Sequence, residues 1–289
     1  MQKHYFVVTS HGWSGSHWLA VALDTHPEIL CFHSALHLHA RGDDSSEQFL
    51  KGNVRNHGVA VNDRESRSFD AAFDEVEKRA TCPDKHVFGN VHTYRIRDLL
   101  GLEEKFGPPR PHMLMNLIRN PVSLVASGFG QLRSFMDWDI YTFLDVAAAV
   151  YENIGLAMKL ANRHGLNLFD PSVQAFLAAC NHLRYLARDQ EIAPDAPTIL
   201  MERVTSEPDY FAEVVRLLSV GELECTPSYL EEVFSLGQLN RHAQGAKLDA
   251  RAQYERWEPW QQEAFHNLLT SSRLNYYYQK HGYDFSFLN

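Results

Sequence analysis

Ser10-His11-Gly12-Trp13-Ser14-Gly15-Ser16-His17-Trp18 is the stretch that decides how this chain folds. The residues before it, Tyr5-Phe6-Val7-Val8-Thr9, are aromatic and β-branched and read as a strand. From His17 to about Thr25, Leu19, Ala20, Ala22 and Leu23 fall on the buried side of a helix, which His26-Pro27 stops. Ile29 to Phe32 is a second strand. Strand, Gly/Ser loop, helix and strand in that order open a βαβ unit, which builds a parallel sheet.

The remaining segments extend this pattern. Arg41 to Glu65 is a long polar connection, and Phe69 to Lys78 a modest helix. Val87-Phe88-Gly89 is a short strand ending at Asn90-Val91-His92. Met113 to Ile118 is apolar at nearly every position, as a strand buried on both faces must be. Arg119 ends it, and Asn120-Pro121 start a helix, because Asn caps well and Pro suits the first helical position. Asp139 to about Ala187 is mostly helical, with Phe143, Val146, Ala147, Val150 and Ile154 at helical spacing. Thr198 to Met201 is a last strand, Pro208 to Leu218 a helix, and Trp257 to Lys280 a closing helix. The expectation is one α/β domain over 1–289 with a helical insertion over roughly 139–190.

Composition narrows the function classes. With 289 residues, 45% hydrophobic and 22% charged, the chain can bury a sizeable core. No apolar run approaches the roughly 20 residues of a membrane-spanning helix. Met1-Gln2-Lys3-His4 leads straight into the first strand and leaves no room for an export signal. Cys31, Cys82, Cys180 and Cys225 lie far apart, without zinc-ligand or disulfide-framework spacing. The expectation is therefore a reduced, cytoplasmic protein. A formal net charge of −9 disfavours a nucleic-acid surface. It still allows a small anion, since one Arg and a helix N-terminus make a local positive site.

A parallel sheet presents ligands at the carboxyl ends of its strands, where Ser10 to Ser16 lies. Gly and Ser let the backbone approach closely and turn N–H groups inward at a helix start. Alone, the loop reads equally as a phosphate or sulfate cradle and as an ordinary tight turn. It is not a Walker A loop, because no Lys stands between Lys3 and Lys51. His11-Gly12-Trp13-Ser14-Gly15-Ser16 also looks like the oxyanion loop of an α/β-hydrolase. That fold needs a Gly-x-Ser-x-Gly elbow further on, and Ser127 has only the following Gly128.

The chain resembles the sulfotransferase family, which uses 3′-phosphoadenosine 5′-phosphosulfate (PAPS). Members share Lys/Arg-Ser-Gly-Thr-Thr-Trp after the first strand; here it reads Trp13-Ser14-Gly15-Ser16-His17-Trp18. They also share Arg-Asn-Pro with a Ser eight residues after the Arg, here Arg119-Asn120-Pro121 and Ser127. Leu200-Met201-Glu202-Arg203-Val204 resembles the family's late strand, and Trp257 to Tyr283 its closing helix. The resemblance implies a P-loop NTPase-like, three-layer α/β/α fold around a mainly parallel central sheet. It also implies residue roles. The Trp13-to-Trp18 loop would hold the 5′-phosphosulfate through the Ser14, Gly15, Ser16 and His17 amides and the Ser16 hydroxyl. Trp18 would stack on the adenine. Arg119 and Ser127 would bind the 3′-phosphate, and Arg241 and Lys247 would lie in a basic loop over the nucleotide. The acceptor would be a hydroxyl on a small molecule, lipid or carbohydrate, and no metal is needed.

Sulfuryl transfer needs positioning, charge stabilisation at the leaving oxygen and a base for the acceptor proton. His92 follows the third strand at the carboxyl edge and is the expected base. The family's loop Lys or Arg is replaced by Trp13, which carries no charge. Three accounts stay open: another cation such as Arg95 or Lys247; a hydrogen bond from protonated His17 or His11; or nucleotide binding with little turnover. His33, His37 and His39 invite a metal reading, but with no acidic or Cys partner at a convincing spacing they read better as pocket lining.

Overall fold

The computed structural model describes residues 2–33, 68–78, 84–92, 96–236 and 249–288. The chain divides into two compact units, Met1–Ile118 with Ile192–Asn240, and Arg119–Glu191 with Arg241–Asn289. The helical stretch over 139–190 lies within the second unit.

The first unit is built on five strands: β1 (His4–Ser10), β2 (Ile29–His33), β3 (Val87–Val91), β4 (Met113–Ile118) and β5 (Thr198–Leu200). They form one sheet in the order β2-β3-β1-β4-β5, and every pairing is parallel. Its helices are α1 (Ser16–Asp24), α2 (Phe69–Lys78) and α3 (Ile96–Phe106). After the second unit's helices come α8 (Met201–Val204), α9 (Pro208–Leu218) and α10 (Pro227–Ser235).

Register explains the two faces. Phe6 pairs with Gly89 and Met113, and Val8 with Val91 and Met115, so these residues share one face. That face joins Leu19 and Leu23 of α1, Phe211 and Val215 of α9, and Tyr229 and Val233 of α10 in one core. Val7, on the other face, packs with Phe73 of α2, and Leu99 of α3 and Leu114 of β4 lie against them. Helices thus cover both faces, the expected three-layer α/β/α arrangement. Met113 to Ile118 has one buried polar exception, Asn116, whose Oδ1 accepts from the Thr9 hydroxyl at 3.2 Å. That bond offsets part of the cost of burying the two groups; the Asn116 amide nitrogen makes no hydrogen bond among the described residues.

Arg110 fastens α2 to the sheet. Its guanidinium reaches Asp70, Asp74 and Glu77, one helical turn apart, and lies 4.8 Å from the centroid of the Tyr5 ring. Tyr5 and Lys3 also donate to Glu77. An Arg suits this place because its planar fork meets several carboxylates while its face stacks on a ring.

The second unit is helical: α4 (Pro121–Met136), α5 (Ile140–Glu152), α6 (Ile154–His164), α7 (Pro171–Ile192, its last residue in the first unit), α11 (Ala250–Glu255), α12 (Pro259–Ser271) and α13 (Leu274–Lys280). Phe176 of α7 is fully buried, with Phe129, Trp257 and Trp260 edge-on around it at 5.2–5.5 Å. Glu263 of α12 receives Arg163 and His164 from the end of α6. The closing helix read over Trp257 to Lys280 is instead two helices. Arg273 adopts φ 55°, a left-handed conformation that a continuous helix cannot contain.

Two glycines test this packing in opposite directions. A Cβ on Gly89 would lie 2.5 Å from the buried Phe6 ring. Gly89→Ala is expected to destabilise by about 1–3 kcal/mol through overpacking. Gly130 lies in α4 with nothing near its missing Cβ. Gly130→Ala is expected to stabilise by about 0.4–1 kcal/mol. Urea unfolding midpoints of the two variants should move to opposite sides of the parent.

Candidate functional site

β1 enters the loop fully buried, and α1 leaves it with seven of its nine residues buried. The turn between them uses left-handed backbone at Trp13 (φ 69°) and Gly15 (φ 83°). Such residues turn successive N–H groups toward one side. For Trp13 the conformation costs about 1–3 kcal/mol; for Gly15 it does not. Any side chain at 15 would also meet the flexible end of Met201, which would have to move. Ser14 donates to the His11 carbonyl at 2.7 Å and closes the loop on itself. Gly15, the N-cap of α1, makes no side-chain cap bond to the helix's first amides.

The carboxyl ends of β1, β2 and β3 bring three more groups, Ser10, His33 and His92, to this turn. His92 extends the β1–β3 ladder through its N–H to Val8 O (2.8 Å), then turns left-handed at φ 69°. Its Nδ1 lies 2.7 Å from Ser10 Oγ and 3.1 Å from Ser10 O. His33, the last residue of β2, places Nε2 3.1 Å from Ser16 Oγ. Its ring stacks on His92 (5.6 Å, 20°) and meets His17 edge-on (5.3 Å, 69°). Ser16, His17 and His92, all expected at the site, are thereby joined through His33. Strand order is what brings this about: β2 borders β3, and His33 pairs with Val91, the residue before His92.

Ser10 and His33 carry more of the geometry than the sequence reading assigned them. The usable signal was position, since each ends a parallel strand at the ligand-bearing edge. Trp18 differs from the expectation in its setting. It is 7% exposed and packs edge-on with Phe211 and Phe234, which leaves little of its ring open to an adenine. It lies in the core that α1 shares with α9 and α10.

Arg119 follows β4 directly. Asn120 Oδ1 accepts from Val122 N at 3.0 Å and Pro121 opens α4, the capping that the sequence predicts. Ser127 lies in the second turn of α4, partly buried. Both residues belong to the second unit and the loop to the first. Ser127 is thus inside a helix, not on the strand-to-helix elbow that a hydrolase nucleophile needs. Arg241, Lys247, Arg95, His37 and His39 lie outside the described residues.

Among the described residues, no group of three or more His, Cys, Asp or Glu is placed to hold a metal ion. Burial holds the Cys31 and Cys180 thiols well above the usual range and pushes Cys225 up to about 11. A thiol so raised is a poor nucleophile. No helix of the described residues is long and apolar enough to cross a membrane.

No protein-family model matches the chain, and no curated protein matches it. Solved structures that are similar to it include two sulfotransferase domains. One is the sulfotransferase domain from the Synechococcus PCC 7002 olefin synthase, 14% identical, with 99% of this chain and 97% of that one covered at a TM-score of 0.43. The other is the sulfotransferase domain from the curacin biosynthetic pathway, 14% identical, with 85% and 81% covered at a TM-score of 0.38.

Proposed function

We propose that this chain is a sulfotransferase that moves a sulfuryl group from PAPS to an acceptor hydroxyl. The observation that carries the reading is the meeting of Ser10, Ser16, His33 and His92 at the carboxyl edge, beside the start of α1, whose N-cap Gly15 makes no side-chain cap bond. The donor supplies an activated sulfuryl group. The acceptor oxygen–sulfur bond forms, the bond to the bridging phosphate oxygen breaks with its electron pair leaving on that oxygen, and the acceptor proton goes to a base.

The chain's own groups meet these demands. The left-handed turn at Gly15 presents the first amides of α1 to a 5′-phosphosulfate, and the Ser16 hydroxyl adds a donor. Arg119 offers a fork of N–H donors to a 3′-phosphate, with Ser127 as its partner in the motif. His92 is the base. When Nδ1 carries the proton and donates to Ser10 O, Nε2 keeps a lone pair for the acceptor proton.

One observation favours a second reading, nucleotide binding with little turnover: Ser10 to Trp18 contains neither Lys nor Arg. The hydrolase alternative loses support, because Ser10, which touches His92, is only 2% exposed.

Adenosine 3′,5′-bisphosphate should raise the melting temperature more than AMP or ATP does. Arg119→Met should abolish that preference, and no stabilisation by saturating bisphosphate would sink both nucleotide readings. Trp13→Lys should retain bisphosphate binding. Transfer of labelled sulfate to a hydroxyl-acceptor panel separates turnover from binding. His92→Asn suits the left-handed backbone at 92. It should lower kcat by about 10²–10⁴-fold and leave bisphosphate stabilisation unchanged; equal loss of binding would remove His92 from the role of base.

A further inference from the structure

The Ser16 hydroxyl has one proton and two lone pairs, and this limits what its contact with His33 can be. If His33 Nε2 lacks a proton, Ser16 must spend its own proton on the imidazole and turn lone pairs toward the start of α1. An anion there would meet oxygen lone pairs. If Nε2 carries the proton, it donates to Ser16 Oγ, and the hydroxyl proton is released to point at the anion. The 3.1 Å separation allows both arrangements, but only the second suits an anionic ligand.

We propose that His33 is a positioning residue that sets the Ser16 hydroxyl to donate and holds the His92 ring in its catalytic plane. The inference rests on the sulfotransferase reading and deepens it. His33 acts through two contacts of different kinds. The hydrogen bond to Ser16 is directional and belongs to donor binding. The stack on His92, rings 5.6 Å apart and 20° from parallel, is a packing contact and belongs to turnover. Among the described residues, the titratable groups in ring contact with His33 are His17 of α1 and His92 after β3.

The two contacts can be removed separately. His33→Phe keeps a ring against His92 and deletes Nε2. His33→Gln supplies an amide donor near the place of Nε2 and deletes the ring. Calorimetric titration with adenosine 3′,5′-bisphosphate should show His33→Phe weakened on the order of tenfold, the scale of one hydrogen bond that serves a charged group. His33→Gln should bind within about twofold of the parent. In the transfer assay the order reverses: His33→Gln should lose kcat at unchanged donor KM, and His33→Phe should lose mainly donor KM. In a Ser16→Ala background, His33→Phe should cause no further loss of affinity. Nitrogen-15 spectra of the unaltered protein add a readout that does not depend on any variant, and should report His33 Nε2 protonated in the bisphosphate complex. Bisphosphate binding by His33→Phe equal to the parent's, additive losses with Ser16→Ala, or an unprotonated Nε2 in the complex each overturn the proposal while leaving the donor reading in place. If the unaltered protein fails to bind bisphosphate, the donor reading falls and this inference falls with it.

Discussion

The passage from β1 to α1 is the constraint on which the rest of the first unit depends. Both elements are buried almost throughout, so neither end can shift without opening the core. The connecting turn must reverse quickly, and it does so with left-handed backbone at Trp13 and Gly15. Met201, which begins the short helix after β5, fills the space that a side chain at 15 would need. The left-handed φ of 83° at Gly15 is what disfavours a side chain there, and the flexible end of Met201 would have to move as well. Ser16 then becomes the first residue of α1, close enough to the end of β2 for His33 to reach its hydroxyl.

Local signals were legible from residue types alone. The β-branched run before Ser10, the apolar run ending at Ile118 and the Asn120-Pro121 cap each rest on physics within a few residues, and each forms as read. Other features were not legible because their cause is remote. α3 has helical spacing but no motif to draw attention to it, whereas α10 starts at Thr226-Pro227, a cap like Asn120-Pro121 in a short segment that the reading passed over. The break at Arg273 carries no Gly or Pro; a charged residue takes left-handed backbone there, and residue type does not announce it. Trp18 looked like a ligand platform from its place beside the loop. It is a core residue because Phe211 and Phe234, about 200 residues further on, close around it. His33 was visible as one of three histidines, but its partner depended on β2 lying next to β3, which strand order alone decides.

Strain and buried polarity gather at the same edge of the sheet. Two non-glycine residues there, Trp13 and His92, hold positive φ. Ser10, Ser14, Ser16 and His11 are nearly inaccessible. Each is a burden that a structural loop would not need. The apolar core behind them, from Phe6 and Val8 to Phe211 and Val215, offsets that burden. The division of labour is spatial: one end of the sheet is optimised for packing, and the other gives up stability for a fixed arrangement of polar groups.

The burial of Trp18 has a thermodynamic consequence for whatever the loop holds. A loop that runs into a helix anchored by a tryptophan packed against Phe211 and Phe234 has less conformational freedom left to lose on binding. Ligand capture then has little backbone left to order, so association should be rapid and its entropy change governed by released water instead of by chain immobilisation.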